Sequence, residues 1–213
     1  MYNDNEFSSR GRQYCQRIEE HAMNYNELCN CALKAPSKYD QSLEEIKFQN
    51  SACALAQRGE HEKLSIVIEK RREKVNETDN SSSGYTPLHY ASRNGNIECV
   101  KVLLQKKFNC AIDQGTLSGN VTALMRASLV GHYEISKLLL DSNARKDLVD
   151  DDGDTALHKA HKGLKLLINS NGNNNSEHDR KRREYDKIIN ALVEAYPEAQ
   201  FLENKRGLKP SEV

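Results

Sequence analysis

The chain has 213 residues, 37% of them hydrophobic and 29% charged, with 31 Lys+Arg balanced by 31 Asp+Glu. That is enough for one compact domain or a repeat array, with a thin core. The even charge removes the simplest electrostatic argument for nucleic acid as the partner, and no apolar stretch approaches the length of a membrane span.

Residues 1–41 read as a polar, largely disordered arm. It opens Met1-Tyr2-Asn3-Asp4 with no signal-peptide-like apolar run, so a cytoplasmic setting is expected. The six cysteines (Cys15, Cys29, Cys31, Cys53, Cys99 and Cys110) are then expected to be reduced thiols. The glycosylation-type triplets at Asn76, Asn80, Asn120 and Asn174 carry no weight in that setting. Cys15, His21, Cys29 and Cys31 form the one plausible zinc set, since Cys29-x-Cys31 offers two close thiolates. Their spacings to Cys29, 14 residues (29 minus 15) and 8 (29 minus 21), match no zinc finger. Scattered thiols are the plainer reading, and neither metal nor cofactor is expected.

Ser42-Leu43-Glu44-Glu45 has capping-box spacing and predicts a lead-in helix. A repeated unit follows. Its first, weaker copy runs from Ala52 through Gly59 to Ile68. The second begins Thr86-Pro87-Leu88-His89-Tyr90-Ala91-Ser92-Arg93-Asn94-Gly95 and continues to Leu104. The third begins Thr122-Ala123-Leu124-Met125-Arg126-Ala127, passes Gly131 and ends near Leu140, and the fourth opens Thr155-Ala156-Leu157-His158-Lys159-Ala160. The threonines are 36 residues apart (122 minus 86) and then 33 apart (155 minus 122), and Gly59 precedes Gly95 by 36. Each threonine can cap a first helix, Pro87 suits a first helical turn, and Gly95 and Gly131 permit the left-handed end of that helix. A second short helix carries the apolar residues that face neighbouring copies, and Gly84 and Gly153 fall in β-turns. One unit cannot bury its apolar face alone, so stacking supplies the core. Cys99, aligned with Ile135, reads as a small buried hydrophobe.

The pattern departs in three places. The hairpin Gly115-Thr116-Leu117-Ser118-Gly119-Asn120 carries three extra residues, so its tip should protrude. In the fourth copy the inter-helix glycine is displaced to Gly163. Residues 169–184 form an Asn-rich and basic insertion before the second helix resumes near Ile188. A closing half-copy, Asn204-Lys205-Arg206-Gly207-Leu208-Lys209-Pro210, places Lys209 54 residues after Thr155 (209 minus 155). Either the array ends on a half-repeat or the chain is truncated. The expected segments are thus 1–41, 42–168, 169–184 and 185–213.

The Thr-Pro-Leu-His-x-Ala run at Thr86–Ala91, with glycine four residues on and recurrence at this period, resembles the ankyrin repeat over about residues 47–168 and again at 185–213. The resemblance implies an all-α solenoid of helix-turn-helix units joined by hairpins, without catalytic activity, monomeric by itself and binding another protein on a concave face. It gives His89 and His158 a structural role, bridging neighbouring hairpins. Carried onto this sequence, the partner-binding positions are Gln57, Arg58, Tyr85, Tyr90, Arg93, Asn94, Arg126, Leu129, Val130, Asp151, Asp152, Asp154 and Lys159. Tyr85, Tyr90 and Arg93 are the first expected anchors, because tyrosine and arginine dominate binding energy at interfaces. The face grades from basic at Arg58, Arg93 and Arg126 to acidic at the Asp151 hairpin.

Other chemistries fail on the residues. Fitted to a calcium loop with Gly153 at the sixth position, Leu148 and Lys159 fall where carboxylates are required. His61-Glu62 starts a zincin-like motif, but Ser65 stands where its second histidine belongs. No phosphate loop, dinucleotide fingerprint or nucleophile elbow is present. The basic runs Arg180-Lys181-Arg182-Arg183 and Lys70-Arg71-Arg72-Glu73-Lys74 are candidates for nuclear import or phosphate contact. Glu177, Asp179, Glu184 and Asp186 interleave the first, which favours a solvated loop.

Overall fold

The computed structural model describes residues 51–79, 81–170 and 176–213. They belong to a unit spanning Leu43–Val213, distinct from the unit Met1–Ser42. The expected arm, the lead-in helix and the candidate zinc set Cys15, His21, Cys29 and Cys31 lie outside the described residues.

Among the described residues the chain forms eight α-helices and no strand. In chain order they are α1 Ala52–Arg58, α2 His61–Lys70, α3 Pro87–Asn94, α4 Ile97–Leu103, α5 Ala123–Val130, α6 Tyr133–Asp141, α7 Ala156–Asn169 and α8 Ser176–Ala195. The first helices stack α1 on α3 on α5 on α7, and the second helices stack α2 on α4 on α6 on α8. Between the layers lie Leu64, Ile68, Leu88, Leu103, Leu124, Ile135, Leu139, Leu157 and Ile188, all buried. Each such side chain is worth roughly 1.5–3 kcal/mol of hydrophobic burial, and none could be buried by an isolated repeat. Cys99 is buried among them, as its alignment predicts.

The helix boundaries follow the predicted residues. Thr86, Thr122 and Thr155 cap α3, α5 and α7, each accepting at 3.4 Å from the backbone N–H three residues on. Gly95 and Gly131 end α3 and α5 at φ 79° and 87°, a left-handed backbone that any side chain would strain.

In two of the three threonine-capped repeats a histidine bridges to the next hairpin. The Thr86 N–H donates to His89 Nδ1 (3.2 Å), leaving the ring proton on Nε2, which donates to the Val121 carbonyl (2.9 Å). His158 repeats this with Thr155 N–H (3.2 Å) and the Leu208 carbonyl (3.2 Å). Met125 occupies the equivalent place in α5 and offers only a thioether to the Thr122 N–H (3.4 Å).

The fourth copy is built differently. α7 does not break where α3 and α5 do; it continues to Asn169, 14 residues in all. The second helix α8 then runs for 20 residues from Ser176, so Arg180, Lys181, Arg182 and Arg183 stand on its exposed helical surface. They are not in a loop, as the insertion reading expects. Gly163 does not make the turn; it sits at the crossing of α7, α5 and α8, where a Cβ would lie 2.2 Å from the Leu129 carbonyl oxygen.

Candidate partner-binding surface

Four hairpins share one construction. The residues that open them, Asp79, Thr116, Asp150 and Asn204, donate their N–H to the carbonyl before the following cap: Tyr85 (2.8 Å), Val121 (3.1 Å), Asp154 (3.1 Å) and Leu208 (3.0 Å). Their side-chain oxygens accept back from the N–H of those same residues, at 2.9, 3.0, 2.8 and 3.1 Å. Short polar side chains do this because they can mimic a backbone turn. Backbone bonds tie one tip to the next: Ser118 N–H to Ser83 O (3.4 Å), Asp151 N–H to Gly119 O (3.0 Å) and Lys205 N–H to Asp152 O (3.0 Å). The tips therefore form a continuous edge along the first-helix layer.

On this edge the Tyr85 ring lies 5.2 Å from Tyr90 and 5.8 Å, edge-on, from His89. The Arg126 guanidinium lies 5.0 Å above the Tyr85 ring, a cation–π contact. The Tyr90 hydroxyl donates to Asp79 at 2.6 Å. Burial, and then Asp79, push its pKa up, so it stays a neutral donor. Tyr85, Tyr90 and Arg126 are half-buried, whereas Gln57, Arg58, Arg93, Asn94, Val130, Asp151 and Asp152 are exposed. Arg58 is ion-paired with Glu60.

Several expected contact residues belong instead to the framework. Asp154 is 0% exposed and Lys159 6%. The Lys159 ammonium pairs with Asp150 and, at 2.9 Å, with Asp154, whose other oxygen accepts from Asn204 Nδ2 (2.8 Å). Burial opposes the Asp154 charge, but the bonds from Asn204 and Lys159 outweigh it and hold the carboxyl below its usual range. The carboxylates of Asp150, Asp152 and Asp154 do converge, but Lys159 already neutralises the buried pair. Asn94 uses its side-chain N–H on the Gln57 carbonyl (2.8 Å), tying α3 to α1. Leu129 is half-buried with its carbonyl against α8, accepting from the Tyr185 hydroxyl at 2.8 Å.

Sequence reasoning missed two contributors. Leu117, at the tip of the long hairpin, is 75% exposed and lies directly over Gly84, where a Cβ would come within 2.3 Å of it. The three extra residues signalled the protrusion but not its apolar tip. His132 packs over Gly95 and bonds through Nε2 to the Arg93 carbonyl (3.1 Å), fixing the backbone that carries the Arg93 guanidinium.

The comparisons agree with this architecture. The family profile for ankyrin repeats (3 copies) matches residues 20–114 and 108–179, beginning upstream of the first copy read at Ala52. Human protein phosphatase 1 regulatory subunit 27 is 33% identical over 111 residues, 51% of this chain and 69% of that protein. Human SMC5-SMC6 complex localization factor protein 1 is 41% identical over 80 residues, 37% of this chain but 7% of that protein. Human ankyrin repeat domain-containing protein 39, whose repeats the Gly84–Gly95 stretch resembles, is 37% identical over 70 residues, 33% of this chain and 37% of that protein. With its helix pairs, capped hairpins and bridging histidines in register, the chain belongs to the ankyrin-repeat family.

Proposed function

We propose that this chain is a non-catalytic protein-binding module of the cytoplasm that takes a segment of its partner along the hairpin edge and the adjoining side of the first helices. The observation that carries the reading is the cluster at the second and third hairpins. There Leu117 is exposed over Gly84, next to Tyr85, on which Arg126 stacks. An aliphatic tip, an aromatic ring and a guanidinium side by side are the chemistry of an interface anchor. Non-catalysis is supported by His89 and His158, whose ring nitrogens are all engaged by threonine and by backbone carbonyls. The cytoplasmic assignment is supported by the unpaired thiols Cys53, Cys99 and Cys110; burial pushes Cys53 and Cys110 up to about 12, where they resist oxidation.

One relative is named as a regulatory subunit of protein phosphatase 1, and this chain spans 69% of it. Purified protein phosphatase 1 is therefore the first partner to try, followed by capture from cytosol. Wild type should be compared with the Leu117→Asp/Arg93→Glu variant after circular dichroism shows both folded. Loss of the wild-type partner from the variant is expected; full retention would refute the hairpin-edge reading.

A second reading has its own observation. Arg180, Lys181, Arg182 and Arg183 are all exposed on α8, and none forms an ion pair among the described residues. They suit an acidic import receptor or a phosphate backbone. The latter predicts binding that weakens steeply with salt, and salt-independent binding would exclude it.

A further inference from the structure

The fourth residue after each capping threonine occupies one register across the array: Tyr90, Arg126 and Lys159. In two of the three repeats this side chain is answered from within the chain, by the aspartate that opens the preceding hairpin. Asp79 spends Oδ1 on the Tyr85 N–H and accepts the Tyr90 hydroxyl on Oδ2 (2.6 Å). Asp150 spends Oδ1 on the Asp154 N–H and pairs through Oδ2 with Lys159. In the middle repeat the opening residue is Thr116. Its single hydroxyl accepts from the Val121 N–H (3.0 Å) and donates to the Ser118 carbonyl (2.8 Å), so it has no second oxygen and no charge for Arg126.

Arg126 is accordingly left over. Its Nε is buried without a hydrogen-bond partner, and the guanidinium lies over the face of Tyr85. An unsatisfied buried N–H costs about 1–3 kcal/mol. Arg126 is half-buried, its guanidinium is centred 5.0 Å from the Tyr85 ring, and it lies on the same edge as the exposed Leu117. The planar fork of terminal N–H groups matches a carboxylate, which it can hold as a bidentate pair. A phosphate dianion calls for a cluster of cations, and the neighbouring residues of this register are a neutral tyrosine and a lysine already neutralised by two aspartates.

Building on the protein-binding reading above, we propose that Arg126 is the specificity residue of this surface: it accepts a glutamate or aspartate side chain of the partner, supplying in trans the carboxylate that Asp79 and Asp150 supply in cis. The partner segment is an acidic peptide with an apolar residue beside the acid, the latter meeting Leu117.

The test uses the full chain and an array of synthetic peptides of varied sequence, including Glu, Gln and phosphoserine versions of each. Three variants accompany wild type: Arg126→Met, Leu117→Asp, and Thr116→Asp, which installs the missing carboxylate in cis. The proposal expects wild type to select peptides with an acid at one position, with Glu→Gln in the peptide weakening binding at least about tenfold. It expects Thr116→Asp, with a raised melting temperature showing that it folds, to lose the acid preference as Arg126→Met does. Peptides that bind through Leu117 with no acid preference, with a preference unchanged by Thr116→Asp, or only when phosphorylated, would overturn the assignment while leaving the surface intact. If no selected peptide depends on Leu117, both the assignment and the binding surface fall.

Discussion

The Tyr185 hydroxyl of α8 donates to the Leu129 carbonyl of α5 at 2.8 Å, closing a contact across 56 residues. The same register is bonded in each earlier interface: Asn96 Nδ2 donates to the Gln57 carbonyl (3.0 Å) and His132 Nε2 to that of Arg93 (3.1 Å). Those donors sit in the turn immediately after the inter-helix glycine. The fourth copy has no such turn, because α7 runs on, so a tyrosine from the following helix reaches back to satisfy the carbonyl. Tyr185→Phe should lower unfolding free energy by about 1 kcal/mol, and Tyr185→Ala by about 3–5 kcal/mol because a cavity is added. Urea titration would check both; no loss for Tyr185→Phe would mean the hydroxyl contributes nothing.

Gly163→Ala should destabilise by about 1–3 kcal/mol or more, since its Cβ would stand 2.2 Å from Leu129 O and 2.6 Å from the Tyr185 ring. On an isolated helix the same change would stabilise by about 1 kcal/mol. The sign of the change in melting temperature therefore reports whether α5, α7 and α8 meet at this residue.

Stability should fall between pH 6.5 and about 4. Burial, the dominant cause, lowers His89 from 6.5 to about 4, and burial likewise lowers His158. In that window the unfolded chain binds protons that the native rings refuse. The contribution is thus complete above the unfolded value of 6.5 and is lost as the pH drops through it. For His89 it amounts to about 3 kcal/mol. Urea midpoints at pH 7 and pH 5 should differ for wild type and differ less for His89→Gln; identical pH dependence would contradict the assignment.

Lys159→Met should cost about 3–5 kcal/mol, because it strands Asp150 and Asp154 as buried carboxylates. The exposed Asp152 is a control: Asp152→Lys should change stability by no more than about 0.5 kcal/mol. Thermal melts of the two variants separate the framework acids from the surface acid.

The repeat and its caps were legible because each is a local rule: a threonine cap, a left-handed glycine, a buried apolar register; the bridging histidines followed only from the family resemblance. The partner-facing residues were legible only by position. Position alone could not tell that Lys159 is consumed by Asp150 and Asp154, since that depends on which residue opens the hairpin five to nine places earlier, a hydrogen-bond account across the turn. Nor could it tell that Gly163 packs instead of turning, because helix continuation through residue 164 is decided by the fit of α7 between α5 and α8. The basic run looked like a loop because Asn-rich residues precede it, yet Tyr185, Ile188 and Leu192 give the stretch a buried helical face.

The most direct measurement is site-specific photo-crosslinking to a bound partner, with the photoreactive side chain placed in turn at Leu117, Arg93 and Lys137, the last exposed on the second-helix layer. Crosslinks from positions 117 and 93 but not from 137 are predicted. Crosslinks from 137 alone would place the partner on the opposite layer and contradict the proposed binding surface.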